Sequence, residues 1–298
     1  MSGATIEHTA TLVHFGDDSF AYAGHHYHPS SHPVHTHSFI EMAVVHDGDG
    51  VHHSLAGRQR LEPGDVVLLR PGVWHGYEDC HDLHLYNCCF SADLLRHELA
   101  WTRDDPVLAE LLWTGPYAAG GRGMLTTHLP PDGFAECVEQ LDALSRLRER
   151  SPALHRSDLI ARLTLVLGCV ARTLPGAGRP GIERSHPAVV EAIRWMEERP
   201  AHPWTLTELA GALHLAPGYL VRLFKSVTGL PPMAYLTRRR AELAAERLLQ
   251  TGEPVNAIGE SVGWADPNYF ARRFRAHFGL SASAYRAQFT TTTRRLLP

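Results

Sequence analysis

One stretch of this chain is written twice. Leu206, Leu209 and Leu213 return as Val255, Ile258 and Val262 at an offset of 49 residues, and Leu220, Phe224, Gly229 and Tyr235 return as Phe270, Phe274, Gly279 and Tyr285 at an offset of 50. The extra residue falls between the two apolar runs of each copy, where a turn absorbs it. Matching apolar and glycine positions at a fixed period mark a duplicated supersecondary unit, and the spacing inside each copy is helical. Each copy therefore reads as helix, tight turn, helix. In the first, Thr205 with Glu208 forms a capping box, His214 to Gly218 is the turn, and a second helix is expected from Pro217 to Val227. In the second, Pro254 suits a first helical position, Gly263 the turn, and Asp266-Pro267 an N-cap followed by proline.

The second helix of each unit has two faces. Phe270, Phe274 and Phe278 share one, which turns Asn268, Ala271, Arg272 and Arg275 outward; in the first unit the outward set is Gly218, Val221, Arg222 and Lys225. Arginine, lysine and asparagine on an exposed helix face reach base edges and phosphates in a major groove. The net charge of -4 hides an asymmetry that supports this reading: residues 1–181 carry -9 and residues 182–298 carry +5. An acidic half joined to a basic half means that only the second half meets a polyanion. Between the units, Pro232 to Leu249 is rich in Ala, Leu and Arg. As one helix it spans about 27 Å, of the order of the roughly 34 Å repeat of the major groove, so a stiff connector sets two recognition helices on one face of a duplex.

These residues resemble the DNA-binding domain of the AraC-type regulator family. The second unit carries the resemblance in Ile258, Gly263, Trp264, Asp266, Tyr269, Phe270, Arg273, Phe274, Phe278, Gly279, Tyr285 and Arg286. Trp264 stands where phenylalanine is commoner, Ala282 where proline is usual, and Ala216 is a poor cap for the first recognition helix. The resemblance implies a sequence-specific regulator bound to a double-stranded DNA operator.

The first half is different in kind. Phe39 to His46 is β-branched enough for a strand; Asp47-Gly48 and Asp49-Gly50 then signal a hairpin, with Val51 to Leu55 returning. Ala56-Gly57 and Pro63-Gly64-Asp65 mark further turns, and Val66 to Leu69 is a continuous apolar run. Short strands at this spacing point to a small sandwich or barrel. From Phe134 the period becomes helical, with one stripe of Val138, Leu141, Leu144 and Leu147 and a second of Leu159, Leu163, Val166, Leu167 and Val170. Two such helices either cover the flank of the β domain or form a dimer seam, and the second use is the leading expectation for a homodimer. Leu174 to Ser185 is rich in Pro and Gly and reads as a linker. The fold class expected is α+β: an effector-binding and dimerisation domain over 1–174 built on a cupin-like β-barrel with flanking helices, a linker over 175–185, and an all-α domain with two helix-turn-helix units over 186–298.

The barrel expectation rests on a second resemblance. HTHSFIE, holding His35, His37 and Glu41, and GDVVLLRPGVWH, from Gly64 to His75, resemble the two cupin motifs, with Arg70 in place of a motif proline and Asp79 in place of a motif asparagine. In cupins the matching positions, here His35, His37, Glu41 and His75, supply three histidines and a glutamate to a metal. Three imidazoles and a carboxylate suit zinc, iron, nickel or manganese. Three readings stay open: a metal site, a polar effector pocket of the same residues for a sugar or other small molecule, or a set of hydrogen-bonded residues that holds the barrel together. The region also resembles the rhamnose-regulator branch of the family. His25, His26, His28 and His32 form a histidine-rich arm ahead of the motif, and Cys80, His81, His84 and Cys88 are weighed as a second metal site.

The expected protein is a ligand-responsive transcription regulator whose effector is a sugar or other small polar molecule, and not an enzyme; the alternatives are a metal-dependent cupin enzyme with a DNA-binding module and a metal-responsive regulator. RNA polymerase is a partner in that role. No stretch nears the roughly 18 apolar residues of a membrane helix, and Met1 to Ala10 lacks a secretory pattern. Five cysteines without a CxxC pair read as reduced thiols in the cytoplasm.

Overall fold

Two long strands, β4 (Ile40–Ser54) and β7 (His75–Phe90), organise the first half. They pair antiparallel almost end to end, from Ile40↔Phe90 to Ser54↔His75. The computed structural model describes residues 11–15, 20–118, 121–147, 150, 152–174, 186–290 and 293–296. Within it, each long strand bends and serves two walls. The first wall runs β2 (Ala21–His28), the end of β7, the start of β4, β6 (Asp65–Leu69) and β8 (Met124–His128). The second holds β3 (His32–His37) on the start of β7, then the end of β4 and β5 (Gly57–Leu61). This is the cupin-like sheet domain expected from the motifs.

One turn is not where the sequence puts it. Asp47 to Gly50 makes no hairpin; β4 runs straight through, with register shifts against β7 between Val45 and Val51. Gly48 takes φ +74° there, and a Cβ on it would lie 2.0 Å from the Asp82 carbonyl oxygen. Two Asp-Gly pairs thus supply bulges, which bend a strand without ending it. The true hairpin is the one at Ala56-Gly57, where Ser54 pairs with Gly57.

The run Val66 to Leu69 is apolar throughout because both faces of the first wall are covered. Val67 and Leu69 join Val45, Val73, Tyr77 and Leu85 in the barrel interior. Val66 and Leu68 join Met42, Val44, Tyr86 and Cys88 in a second cluster that extends into the helices. Ahead of those helices come two short ones, α1 (Ala92–Arg96) and α2 (Pro106–Ala109). In α3 (Pro131–Ser145), Leu141 and Leu144 are buried; in α4 (Pro152–Ala171), Leu159, Leu163, Val166, Leu167 and Val170 are all buried. Most of both stripes is thus packed inside the chain against its own barrel, while Val138 and Leu147 of the first stripe are half-buried. Among the described residues of α4, the large hydrophobic side chains left exposed are Leu154 and Leu165.

The second half holds α5 (Pro187–Glu198), α6 (Leu206–Ala212), α7 (Pro217–Thr228), α8 (Pro232–Gln250), α9 (Val255–Ser261), α10 (Pro267–Phe278) and α11 (Ala282–Thr290). The duplicated units are α6–α7 and α9–α10, and α8 is the single connecting helix expected. Thr205 caps α6 through the Glu208 N–H, Asp266 caps α10 through Asn268, and Ala216 gives α7 no side-chain cap. Pro254 stands one position earlier than expected, as the cap residue of α9. The half is not wholly helical: β9 (Thr293–Leu296) pairs parallel with β1 (Thr11–Phe15), which pairs parallel with β3. The expected linker at 175–185 and the segment Met1 to Ala10 lie outside the described residues.

The halves share buried surface. The cluster beneath α3 and α4 continues into Val189 of α5, Leu220 and Phe224 of α7 and Tyr235 of α8, and Trp74 of the barrel packs with Phe274 and Phe278 of α10 and Tyr285 of α11.

Candidate effector site and nucleic-acid interface

The four residues singled out by the cupin motifs converge. His35 on β3 faces His75 on β7 in direct register, with ring centroids 4.2 Å apart. His37 ends β3, a bend at Ser38–Phe39 turns the chain, and Glu41 follows on β4 from the opposite wall. Donor atoms of His35, Glu41 and His75 all lie within 4.8 Å of one another. His37 joins them, its Nε2 at 3.5 Å from Glu41 Oε2. Its Nδ1–H donates to the Phe39 carbonyl at 2.7 Å, and His35 Nδ1–H donates to the Pro33 carbonyl at 3.2 Å. A neutral imidazole carries one N–H, so both rings present an Nε2 lone pair. Backbone carbonyls fix ligating histidines in metal sites in this way.

Burial sets the charge state. It lowers His37 to about 4, and it pushes His35 and His75 well below the ordinary histidine range, reinforced by neighbouring imidazoles. Burial also pushes Glu41 up to about 8. Near neutral pH the histidines are therefore uncharged, the form that ligates, while Glu41 keeps a proton until a positive charge replaces it. Lone pairs and carboxyl oxygens thus converge in a buried space, which is costly without a partner. The residues fit a divalent cation.

Sequence reasoning missed three neighbours. His52 on β4 and Tyr77 on β7 are paired in register and buried, and both ring nitrogens of His52 and the Tyr77 hydroxyl lack hydrogen-bond partners. Asn87 donates to Glu41 Oε1 at 3.1 Å. The bulges at Asp47–Gly50 break the alternation from which His52 would have been placed inside. The histidine-rich arm is not an arm: His25, His26 and His28 belong to β2 and His32 opens β3. Cys80, His81, His84 and Cys88 do not assemble. Cys88 packs under the helices, Cys80 lies in the barrel interior, and His81 is on the surface against Asp49.

The loop that ends in His75 is fastened to the second half. Arg70 donates to Glu242 of α8 at 3.4 Å, the Gly72 carbonyl accepts from the Tyr285 hydroxyl at 2.6 Å, and the Trp74 indole N–H donates to the Phe278 carbonyl at 3.3 Å. Gly72 takes φ +81°, and a Cβ on it would meet the Ala245 methyl at 2.8 Å. Around Glu242 lies a buried polar network. Tyr117 donates to it at 2.5 Å and Arg239 at 3.4 Å, while Arg239 also donates to Glu197 at 2.6 Å and Tyr235 to Glu197 at 3.1 Å.

In the helical half every predicted contact residue except Val221 is exposed: Gly218, Arg222 and Lys225 on α7, and Asn268, Ala271, Arg272 and Arg275 on α10. Val221 is half-buried. Tyr219, not expected, stands exposed on α7, and Arg272 and Arg273 flank the Tyr269 ring at 5.3 and 5.0 Å. Two basic residues are withdrawn from that surface. Arg239 serves the buried network, and Arg240 donates to the Pro200, His202 and Gly263 carbonyls, tying the turn of the second unit to the approach of the first.

A cupin-like sensing domain joined to paired helix-turn-helix units defines a ligand-responsive DNA-binding transcription regulator, and comparison with known proteins agrees. The family described as AraC-like ligand binding domain matches residues 19–155, and the family described as Helix-turn-helix domain matches residues 209–288. The chain belongs to the AraC-type regulators. It is 28% identical to the HTH-type transcriptional activator RhaR of Pectobacterium carotovorum subsp. carotovorum, over 86% of this chain and 87% of that protein. It is 37% identical to the RCS-specific HTH-type transcriptional activator RclR of Escherichia coli, over 34% of this chain and 36% of that protein. The structure of unsaturated fatty acid bound ToxT from Vibrio cholerae shares the fold alone, with a TM-score of 0.50 and 12% identity over 92% of this chain and 96% of ToxT.

Proposed function

We propose that the effector of this regulator engages His35, His37, Glu41 and His75, and that it is a divalent cation of the zinc, iron, nickel or manganese class. The observation that carries this reading is the convergence of ligand atoms of His35, Glu41 and His75 within 4.8 Å of one another, with His37 Nε2 at 3.5 Å from Glu41 Oε2. Imidazole lone pairs and a carboxyl gathered in one buried place suit a divalent cation, which displaces the Glu41 proton on binding. Bound there, the cation would supply a fixed charge that draws in the His75 side chain and with it the loop fastened to Glu242, Tyr285 and Phe278. Elemental analysis of protein purified without chelator tests it: about one equivalent of metal, lost in Glu41→Gln, is expected.

A second reading is supported by His52 and Tyr77, whose unpartnered polar atoms face the same interior. A sugar or other small polar molecule offers hydroxyls to such groups, directly or on the metal. Thermal shift against sugars, small acids and metals separates the two readings. Purified protein with added iron that turned over a substrate would instead support a cupin enzyme.

The contacts to a DNA operator are proposed for Gly218, Val221, Arg222, Lys225, Asn268, Ala271, Arg272 and Arg275. The relatives named as activators support a role in raising transcription with RNA polymerase as partner, and the buried free cysteines fit the reducing cytoplasm. No helix among the described residues is long and apolar enough to cross a membrane. A homodimer, if formed through the first half, would use the outer face of α4 around Leu154 and Leu165; light scattering of wild type and Leu165→Glu tests that face.

A further inference from the structure

His35, His37 and His75 are buried, so a cation needs a way in. Two half-buried histidines lead to them. His28 ends β2, His32 opens β3, and the turn between them, residues 29–31, is exposed. The imidazoles form a file: ring centroids are 4.5 Å apart from His28 to His32, 5.1 Å from His32 to His35, and 4.2 Å from His35 to His75. Tyr77 stacks on His28 at 5.2 Å and holds the outer ring against the file. Exposure falls along it, from half-buried to fully buried.

The chemistry of a file differs from that of a hole. A divalent cation gives up ligands reluctantly, and it moves easily only where the next donor is in reach before the last one leaves. Rings in contact meet that condition. They also favour the borderline metals that the inner site suits, over hard cations that prefer oxygen. Packing alone would be met by phenylalanine at His28 and His32.

We propose that His28 and His32 form an outer cation station from which the metal passes, ring to ring, to His35 and His75. This rests on the cation reading of the inner site. The step is ligand exchange only: imidazole nitrogen replaces water and then imidazole nitrogen, with no change in oxidation state.

Full-length protein stripped with chelator and mixed with Co(II) in a stopped-flow absorbance experiment tests the route. Equilibrium titration of wild type reports on the inner site, and the rates report on the file. His28→Ala and His32→Ala are expected to slow uptake by about tenfold, and to slow release into excess chelator equally, so that Kd is unchanged. His81→Ala, on the surface and off the file, is expected to keep the wild-type rates. A simple hole would be widened by alanine and would load faster, which overturns the route while leaving the inner site intact. Unchanged rates overturn it likewise. Kd weakened in step with the slower uptake makes His28 and His32 ligands of the inner site and also overturns it. A wild-type chain that takes up no cobalt at equilibrium overturns the cation reading, and the route with it.

Discussion

Arg70 of the barrel reaches Glu242, the residue at the centre of the buried network on the helix between the two helix-turn-helix units, at 3.4 Å, with both side chains almost fully buried. Arg70 is also the residue that replaces proline in the second cupin-like motif. The departure from the motif and the contact between the halves are the same fact: a proline there would have no donor to offer α8. Five residues on stands His75.

Breaking this pair is expected to destabilise the protein. Glu242→Gln leaves Arg70 and Arg239 short of a counter-charge in a buried place, which costs about 3–5 kcal/mol. Urea denaturation of the full chain measures it, and Arg70→Met combined with Glu242→Leu should recover much of the loss. A change under about 0.5 kcal/mol, the usual range for surface positions, would show that the pair is solvated.

Trp74→Phe removes the indole N–H and part of a buried ring. Stability should fall by about 1–3 kcal/mol, the lost hydrogen bond plus the small cavity left among Phe274, Phe278 and Tyr285. Metal content should match wild type, because His75 is untouched. The change in DNA affinity on adding the effector should shrink, because the indole is the link from the His75 loop to the Phe278 carbonyl. An undiminished response would place the coupling elsewhere.

On the recognition helices, Arg222→Ala and Arg275→Ala should each weaken specific DNA binding by about 1–3 kcal/mol if they make bidentate base contacts. Arg240→Ala should weaken it too, although Arg240 faces three backbone carbonyls and not the duplex, because it fixes the two units relative to each other. Fluorescence anisotropy with an operator selected from genomic fragments measures all three. Nonspecific DNA separates them: Arg240→Ala should lose affinity for the two-unit site and keep most of its nonspecific affinity.

The capping difference between the units gives a stability prediction. Asp266 accepts from the Asn268 N–H, and Ala216 offers nothing. Ala216→Ser should raise stability by about 0.5–2 kcal/mol, read as an increase in Tm.

The helical half was legible because its signals are local. Capping residues, the offset of the duplicated leucines and phenylalanines, and the outward arginines all act within a few turns of one helix. The four residues of the inner site were legible because the motif spacing fixes them. What lay beyond reach depends on contacts distant in sequence. Asp47 to Gly50 carries the local signature of a hairpin, and only pairing with β7 on both sides turns it into bulges. His52 and Tyr77 meet inside the barrel only after those bulges reset the alternation. Arg239 and Arg240 count as surface charge in any tally of the sequence, yet Glu197, Glu242 and the carbonyls of Pro200, His202 and Gly263 take them inside. The stripes of α3 and α4 fit a dimer seam as well as a barrel flank by period alone; packing takes Leu141, Leu144 and the stripe of α4 into the flank.

The central claim is that occupancy at His35, His37, Glu41 and His75 changes how the protein holds DNA. The direct measurement is the operator Kd of the full chain, stripped with chelator and then loaded with Zn(II), for wild type and for Glu41→Gln. The account predicts a shift of about tenfold or more for wild type, the range of a coupling free energy of about 1–3 kcal/mol, and no shift for Glu41→Gln at the same intrinsic stability. Equal Kd for stripped and loaded wild type, or the same shift in the variant, would contradict it.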